Sequence, residues 1–105
     1  MIIYGLPNCD KCRAARKARP DADFQDIRET PLSPDFLAGA YDVLGAALLN
    51  TRSTTWRGLS EAERAKTPLD LLQAHPTLMK RPLIAAGDQL YLGWTKDVQV
   101  ALTAK

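Results

Sequence analysis

Met1-Ile2-Ile3-Tyr4-Gly5-Leu6-Pro7-Asn8-Cys9-Asp10-Lys11-Cys12 is the stretch that decides the fold. Met1 to Tyr4 is an apolar run of strand length. Gly5-Leu6-Pro7-Asn8 breaks it. From Asp10 to Arg19 the residues are good helix formers. Pro20 ends that stretch, because proline has no N–H to give to a helix ladder. Asp23 to Ile27 alternates, with Phe24 and Ile27 apolar, and reads as a second strand. Strand, helix and strand at this spacing predict a βαβ unit with parallel strands.

Beyond this unit the middle of the chain is helical. Ser33-Pro34-Asp35 is a helix start: a capping hydroxyl, a proline at the first position, and an acid near the positive dipole end. Phe36, Leu37, Ala40, Tyr41 and Leu44 follow at helical spacing, and Gly45 ends the helix. Ala46 to Leu49 reads as a further short turn. Ser60 with Glu63 has the capping-box pattern, Thr67-Pro68 opens another short helix, and His75-Pro76 stops it. Pro82 to Ala85 and Gln89 to Leu92 are apolar runs separated by Ala86-Gly87-Asp88, a hairpin signal. Thr95 caps a last helix through Leu102. The order β, α, β, helical insert, β, β, α makes this an α/β protein.

At 105 residues the chain has room for one domain and one core. Apolar residues at 46% and charged residues at 25% exclude a disordered chain. No apolar run approaches the ~18 residues of a membrane span. The N-terminus shows no basic leader or cleavage site, so secretion is not expected. Fourteen basic against twelve acidic residues leave +2, which gives no general drive toward nucleic acid. Cys9 and Cys12 are the two cysteines, and a bond between them closes almost no loop and stabilises little. Cysteine usage therefore predicts a cytoplasmic protein whose cysteines do chemistry or nothing.

Cys9-Asp10-Lys11-Cys12 lies where a strand has ended and a helix begins. Free amides and the macrodipole at a helix N-terminus favour a thiolate. Cys9 is placed at the cap, facing solvent. Cys12 is placed one turn on, within reach of a mixed disulfide on Cys9. Zinc is not expected, since a site needs two more ligands and His75 is the only histidine. Two inert buried cysteines are the plain alternative. Lys11 and Arg13 flank the pair, where either lowers a thiolate pKa or attracts an anionic partner. Arg16, Lys17 and Arg19 read as a solvated face. The segment from Asn50 to Arg57 reads either as a surface loop with Trp56 packed inward, or as an anion-binding edge using Arg52 and Arg57. Trp94 reads as packing.

Three stretches in order resemble the arsenate reductase (ArsC) family: Ile3 to Cys12, quoted above; Ala47-Leu48-Leu49-Asn50-Thr51-Arg52-Ser53-Thr54-Thr55-Trp56-Arg57; and His75-Pro76-Thr77-Leu78-Met79-Lys80-Arg81-Pro82-Leu83-Ile84. Within it the chain is similar to the YffB branch, which carries a similar loop ending in Thr-Thr-Trp-Arg. The Spx regulators are a sister branch. The resemblance implies a thioredoxin-like four-stranded mixed sheet flanked by helices, with a helical insertion between strands 2 and 3. One domain over 1–105 is expected, with the insertion at about 33–79. Cys9 matches the family's catalytic cysteine, and Arg81 the arginine before its cis-proline, Pro82.

The chain also departs from the family. Of the three arginines that hold the oxyanion in arsenate reductases, Arg81 alone matches cleanly. Asn50 stands at the second position, with Arg52 two residues on, and Gly93 at the third. An oxyanion that loses two charge-assisted forks loses its strongest contacts. Cys12 matches the Spx pattern.

The resemblance therefore implies a thiol–disulfide oxidoreductase, glutathione-linked as suggested for the YffB branch. Cys9 is its nucleophile, Cys12 its resolving thiol and Arg81 a third catalytic residue. Lys11, Arg13, Arg52, Arg57 and Pro82 are expected to bind substrate. The alternatives are an Spx-like redox-sensing regulator that binds RNA polymerase, and an arsenate reductase. No bound cofactor or metal is expected. Glutathione is the expected co-substrate, and glutathione or a protein disulfide the partner, with glutaredoxin a further one. No membrane partner, no direct nucleic-acid contact and a monomeric state are expected.

Overall fold

The structure, a computed structural model, describes residues 1–103, so the last two positions of the expected 1–105 domain lie outside the described residues. In chain order the elements are β1 (Ile2–Gly5), α1 (Asp10–Ala18), β2 (Asp23–Asp26), α2 (Pro34–Leu44), a 3-10 turn (Gly45–Leu48), α3 (Thr54–Arg57), α4 (Glu61–Arg64), α5 (Pro68–Ala74), a second 3-10 turn (Pro76–Leu78), β3 (Leu83–Ala86), β4 (Gln89–Leu92) and α6 (Lys96–Thr103). They form two compact units. One is Met1–Thr30 together with the chain from Arg81 onward, and the other is Pro31–Lys80.

The first unit holds a four-stranded sheet in the order β2-β1-β3-β4. β1 and β2 are parallel, with Ile3 opposite Phe24. The α1 crossover makes them so, as the βαβ reading requires. β3 runs antiparallel to both β1 and β4. Ile3 and Ile84 are directly opposite and form one buried cluster with Ala15 of α1 and Val98 and Leu102 of α6. Trp94 packs against that cluster, as a packing residue should. The β3–β4 turn is two residues, Gly87-Asp88. Gly87 stands at φ 62°, which in a two-residue hairpin loop favours glycine.

Strand boundaries differ from the sequence reading by one residue: β1 runs Ile2–Gly5 instead of Met1–Tyr4, and β3 reaches Ala86 instead of Ala85. β2 stops at Asp26, although Ile27 still donates to the Gly5 carbonyl at 3.1 Å. β3 begins after Pro82, whose missing N–H cannot enter a ladder.

In the second unit α2 packs on α5, and Leu37, Ala40, Leu48, Leu71, Leu72, Leu78 and Met79 are buried. Each start read from the sequence is capped. Ser33, Ser60 and Thr67 accept from the N–H groups of Phe36, Glu63 and Asp70. The capping box at Ser60 is half made: the Glu63 carboxylate turns to Lys66 and His75 instead of back to the cap. Thr54–Arg57, read as loop, is one helical turn capped by Ser53, which accepts from Trp56 N–H at 3.1 Å. Arg64 holds that turn by donating to the Trp56 carbonyl at 3.0 Å and lying 5.2 Å from its ring. One turn is too short to show a period. Ser33→Ala should lower thermal stability by about 1 kcal/mol, because it strips a cap from an exposed N-terminus. Calorimetry against wild type reads the change.

No helix among the described residues is long and apolar enough to cross a membrane.

Candidate active site

Cys9 caps α1 through its backbone. It has extended φ and ψ of -87° and 124°, its carbonyl accepts from Arg13 N–H at 2.9 Å, and its side chain makes no capping hydrogen bond. The sulfur is thus left at the positive end of the helix. It is half-buried rather than facing solvent, and reduced, as is Cys12.

Cys12, one turn on, is fully buried. Its sulfur occupies space that only glycine at position 5 leaves open. A Cβ built on Gly5 would overlap the Cys12 sulfur and lie 3.3 Å from its Cβ. Gly5 reads in the sequence as a breaker, yet it sits inside β1 and its value is the missing side chain.

The two thiols are driven in opposite directions. Burial pushes Cys9 up, but the Cys12 N–H, the Cys12 thiol and the hydrogen bond and charge of Arg81 outweigh it. Cys9 therefore stands below the usual thiol value of 9.0. Burial pushes Cys12 up to about 12. Its hydrogen bond to Cys9 and the Cys9 charge push the same way, against the Leu6 N–H and the Arg81 charge. This is one dyad, with Cys9 the more acidic thiol and Cys12 the thiol that donates to it.

Arg81 supplies the cation at the dyad, from 72 positions away in sequence. The residues that flank the cysteines do not. Arg13 forms an ion pair with Asp10, and Lys11 is exposed with no effect on Cys9. The Arg81–Pro82 peptide bond is cis, as the resemblance implies. Pro82 is fully buried, and its carbonyl accepts from Gly93 N–H at 2.8 Å. Gly93 has φ 81°, a backbone that favours glycine.

Arg52 and Arg57 belong to the Pro31–Lys80 unit and are exposed, with Arg57 donating to the Arg52 carbonyl at 3.2 Å. His75, given no role from sequence, meets Glu63 at 3.2 Å. Among the described residues no three His, Cys, Asp or Glu gather as a metal site.

Comparison with known proteins agrees with this geometry. A Haemophilus influenzae (strain Rd) protein described as uncharacterized is 36% identical over 96% of this chain and 97% of its own. The global transcriptional regulator Spx of Streptococcus pyogenes serotype M3 is 30% identical over 92% of this chain and 80% of its own. A solved structure named YFFB protein superposes with a TM-score of 0.88 at 28% identity, covering 98% of both chains. The four-stranded mixed sheet with its flanking helices is the thioredoxin-like fold. Residues 4–101 match the model of the ArsC family, and with Cys9 at the helix cap and the cis Arg81–Pro82 bond in the same unit, the chain belongs to that family.

Proposed function

We propose that the protein is a glutathione-linked thiol–disulfide oxidoreductase of the cytoplasm. The observation that carries this reading is the opposite displacement of the two thiols, Cys9 down and Cys12 up to about 12. A nucleophile must be thiolate at working pH, and a resolving thiol must wait. The Cys9 thiolate attacks one sulfur of a disulfide, forms a mixed disulfide and expels the other half as thiolate. Once Cys9 is bonded, its charge and its hydrogen bond no longer hold the Cys12 proton. Cys12 gives that proton to water or to the departing thiolate and attacks the Cys9 sulfur. The second half leaves reduced, and Cys9–Cys12 is the disulfide. Two glutathione thiols then return the pair to dithiol and become oxidised glutathione. Arg81 stabilises the thiolate form of Cys9. Within the unit that holds the dyad, Lys11, Arg13 and Pro82 are the proposed substrate contacts, with Arg13 suited to a carboxylate.

The test is the equilibrium of the pair in glutathione buffers, read by alkylation and mass. A reversible intramolecular disulfide near ~−200 to −270 mV is the expected result. A Cys9 that forms neither that disulfide nor a glutathione adduct overturns the reading. The likeness to Spx together with the shared C-x-x-C favours a second reading, a redox-sensing regulator. It predicts oxidation-dependent capture of RNA polymerase without catalytic turnover.

A further inference from the structure

α1 carries more positive charge than the dyad uses. Lys11, Arg13, Arg16, Lys17 and Arg19 lie within nine positions. Arg13 is paired with Asp10, and Arg19 with Asp21 at 2.7 Å. Arg16 and Lys17 are exposed and make no ion pair among the described residues. Arg16 lies over the Phe24 ring at 4.1 Å, stacked on β2, the edge strand of the sheet.

Cys9, Arg13, Arg16 and Lys17 are spaced i, i+4, i+7 and i+8, which is one stripe of a helix. The stripe begins at the nucleophile and runs into a groove of about 520 Å³ whose walls include Arg13, Arg16 and Lys17 on α1 and Phe24 on β2. Asp23 is the one acid in that groove against three bases. A second groove of about 540 Å³ begins on the far side of the Arg16–Phe24 stack and carries Asp26 and Glu29. That second groove lies toward the Gly5 end of β1, from which the chain runs to Cys9, so the positive potential is confined to the Cys9-distal part of the stripe.

We propose that this stripe docks an acidic segment of a protein substrate and so selects which disulfides reach Cys9. The inference rests on the oxidoreductase reading and names the substrate class of the same site. The spacing sets where the acids must lie. Arg13 and Lys17 are about 6 and 12 Å along the axis from Cys9, at ~1.5 Å per residue. An extended peptide advances ~3.3 Å per residue, so Asp or Glu roughly two to four positions from the disulfide cysteine meets them.

The test uses three substrates. Two are peptides glutathionylated at one cysteine, with acidic or lysine residues two to four positions away, and the third is hydroxyethyl disulfide. Wild type should reduce the acidic peptide at least ~10-fold more efficiently than the lysine peptide at low salt, with the ratio falling toward one in high salt. Arg16→Glu with Lys17→Glu should invert the preference and leave hydroxyethyl disulfide turnover unchanged. The Arg16→Gln with Lys17→Gln pair, gentler on the helix, should abolish the preference. Equal rates on both peptides overturn the docking inference and leave the oxidoreductase reading standing. No turnover of any disulfide overturns that reading instead. Direct binding of the fluorescein-labelled acidic peptide then decides the docking question: loss of affinity in the glutamate pair supports it, and equal binding by wild type and variant overturns it.

Discussion

At pH 7 iodoacetamide should label Cys9 of the folded wild-type protein at least about three orders of magnitude faster than Cys12, and Cys9→Ser should slow labelling by leaving only the buried Cys12. Alkylation follows the thiolate fraction. A thiol held at about 12 is thiolate in roughly one molecule in 10⁵ at pH 7, against about one in 10² for a thiol at 9.0. Cys9 lies below 9.0, and Cys12 is also shielded by complete burial, so both effects widen the gap. The labelling rate of Cys9 should rise with pH and level off at a midpoint below 9.0. Arg81→Met removes a hydrogen bond and a positive charge from the thiolate and should move that midpoint up. Lys11→Met should not move it, because the Lys11 charge does not act on the sulfur. Stopped-flow alkylation of each variant across pH 5 to 10 reads all three. A Cys9 that titrates at or above the ordinary thiol value, or a Cys12 labelled as fast as Cys9, removes the basis for the nucleophile assignment.

What the sequence makes legible is local, and what it hides is not. Ile2 to Tyr4, the cap at Cys9 and the helix after it follow from neighbours in the chain, and so do the three capped starts at Ser33, Ser60 and Thr67. The same local logic assigns the cation at Cys9 to Lys11 and Arg13. That logic fails because Asp10 sits three residues before Arg13 and captures it on the same helical face. Arg81 takes the place through the antiparallel pairing of β3 with β1, which carries the segment before β3 to the Gly5 end of β1. Only the family resemblance points there in advance. Thr54–Arg57 is hidden for a different reason: its helical turn depends on Ser53 at one end and on Arg64, eight residues beyond Trp56. Gly5 reads as a mere breaker because its role is a contact across the βα junction, and a missing side chain leaves no pattern.

Gly5→Ala should damage both stability and the redox pair, and the two effects should share one cause. The added Cβ overlaps the Cys12 sulfur, and Phe24 Cε1 stands 3.8 Å away on another side. Either the sulfur leaves its slot or α1 moves off β1, and in both cases the hydrogen bond from Cys12 to Cys9 is lost. Overpacking of this kind costs about 1–3 kcal/mol. The pKa changes follow in sign. Cys9 loses a donor to its thiolate and should rise, while Cys12 loses burial and its tie to Cys9 and should fall. The two alkylation profiles therefore converge, and the glutathione equilibrium shifts with them. Cys12→Ala deletes the sulfur and opens the space that the methyl group added at position 5 needs. The double variant should be destabilised by clearly less than the sum of the two single variants, a coupling that contacting residues show and distant ones do not. Urea unfolding of the four proteins measures it without reference to any activity. Additive losses, with the Cys9 and Cys12 profiles unmoved in Gly5→Ala, would show that the glycine is merely tolerated in β1 and that the resolving thiol is held by something else.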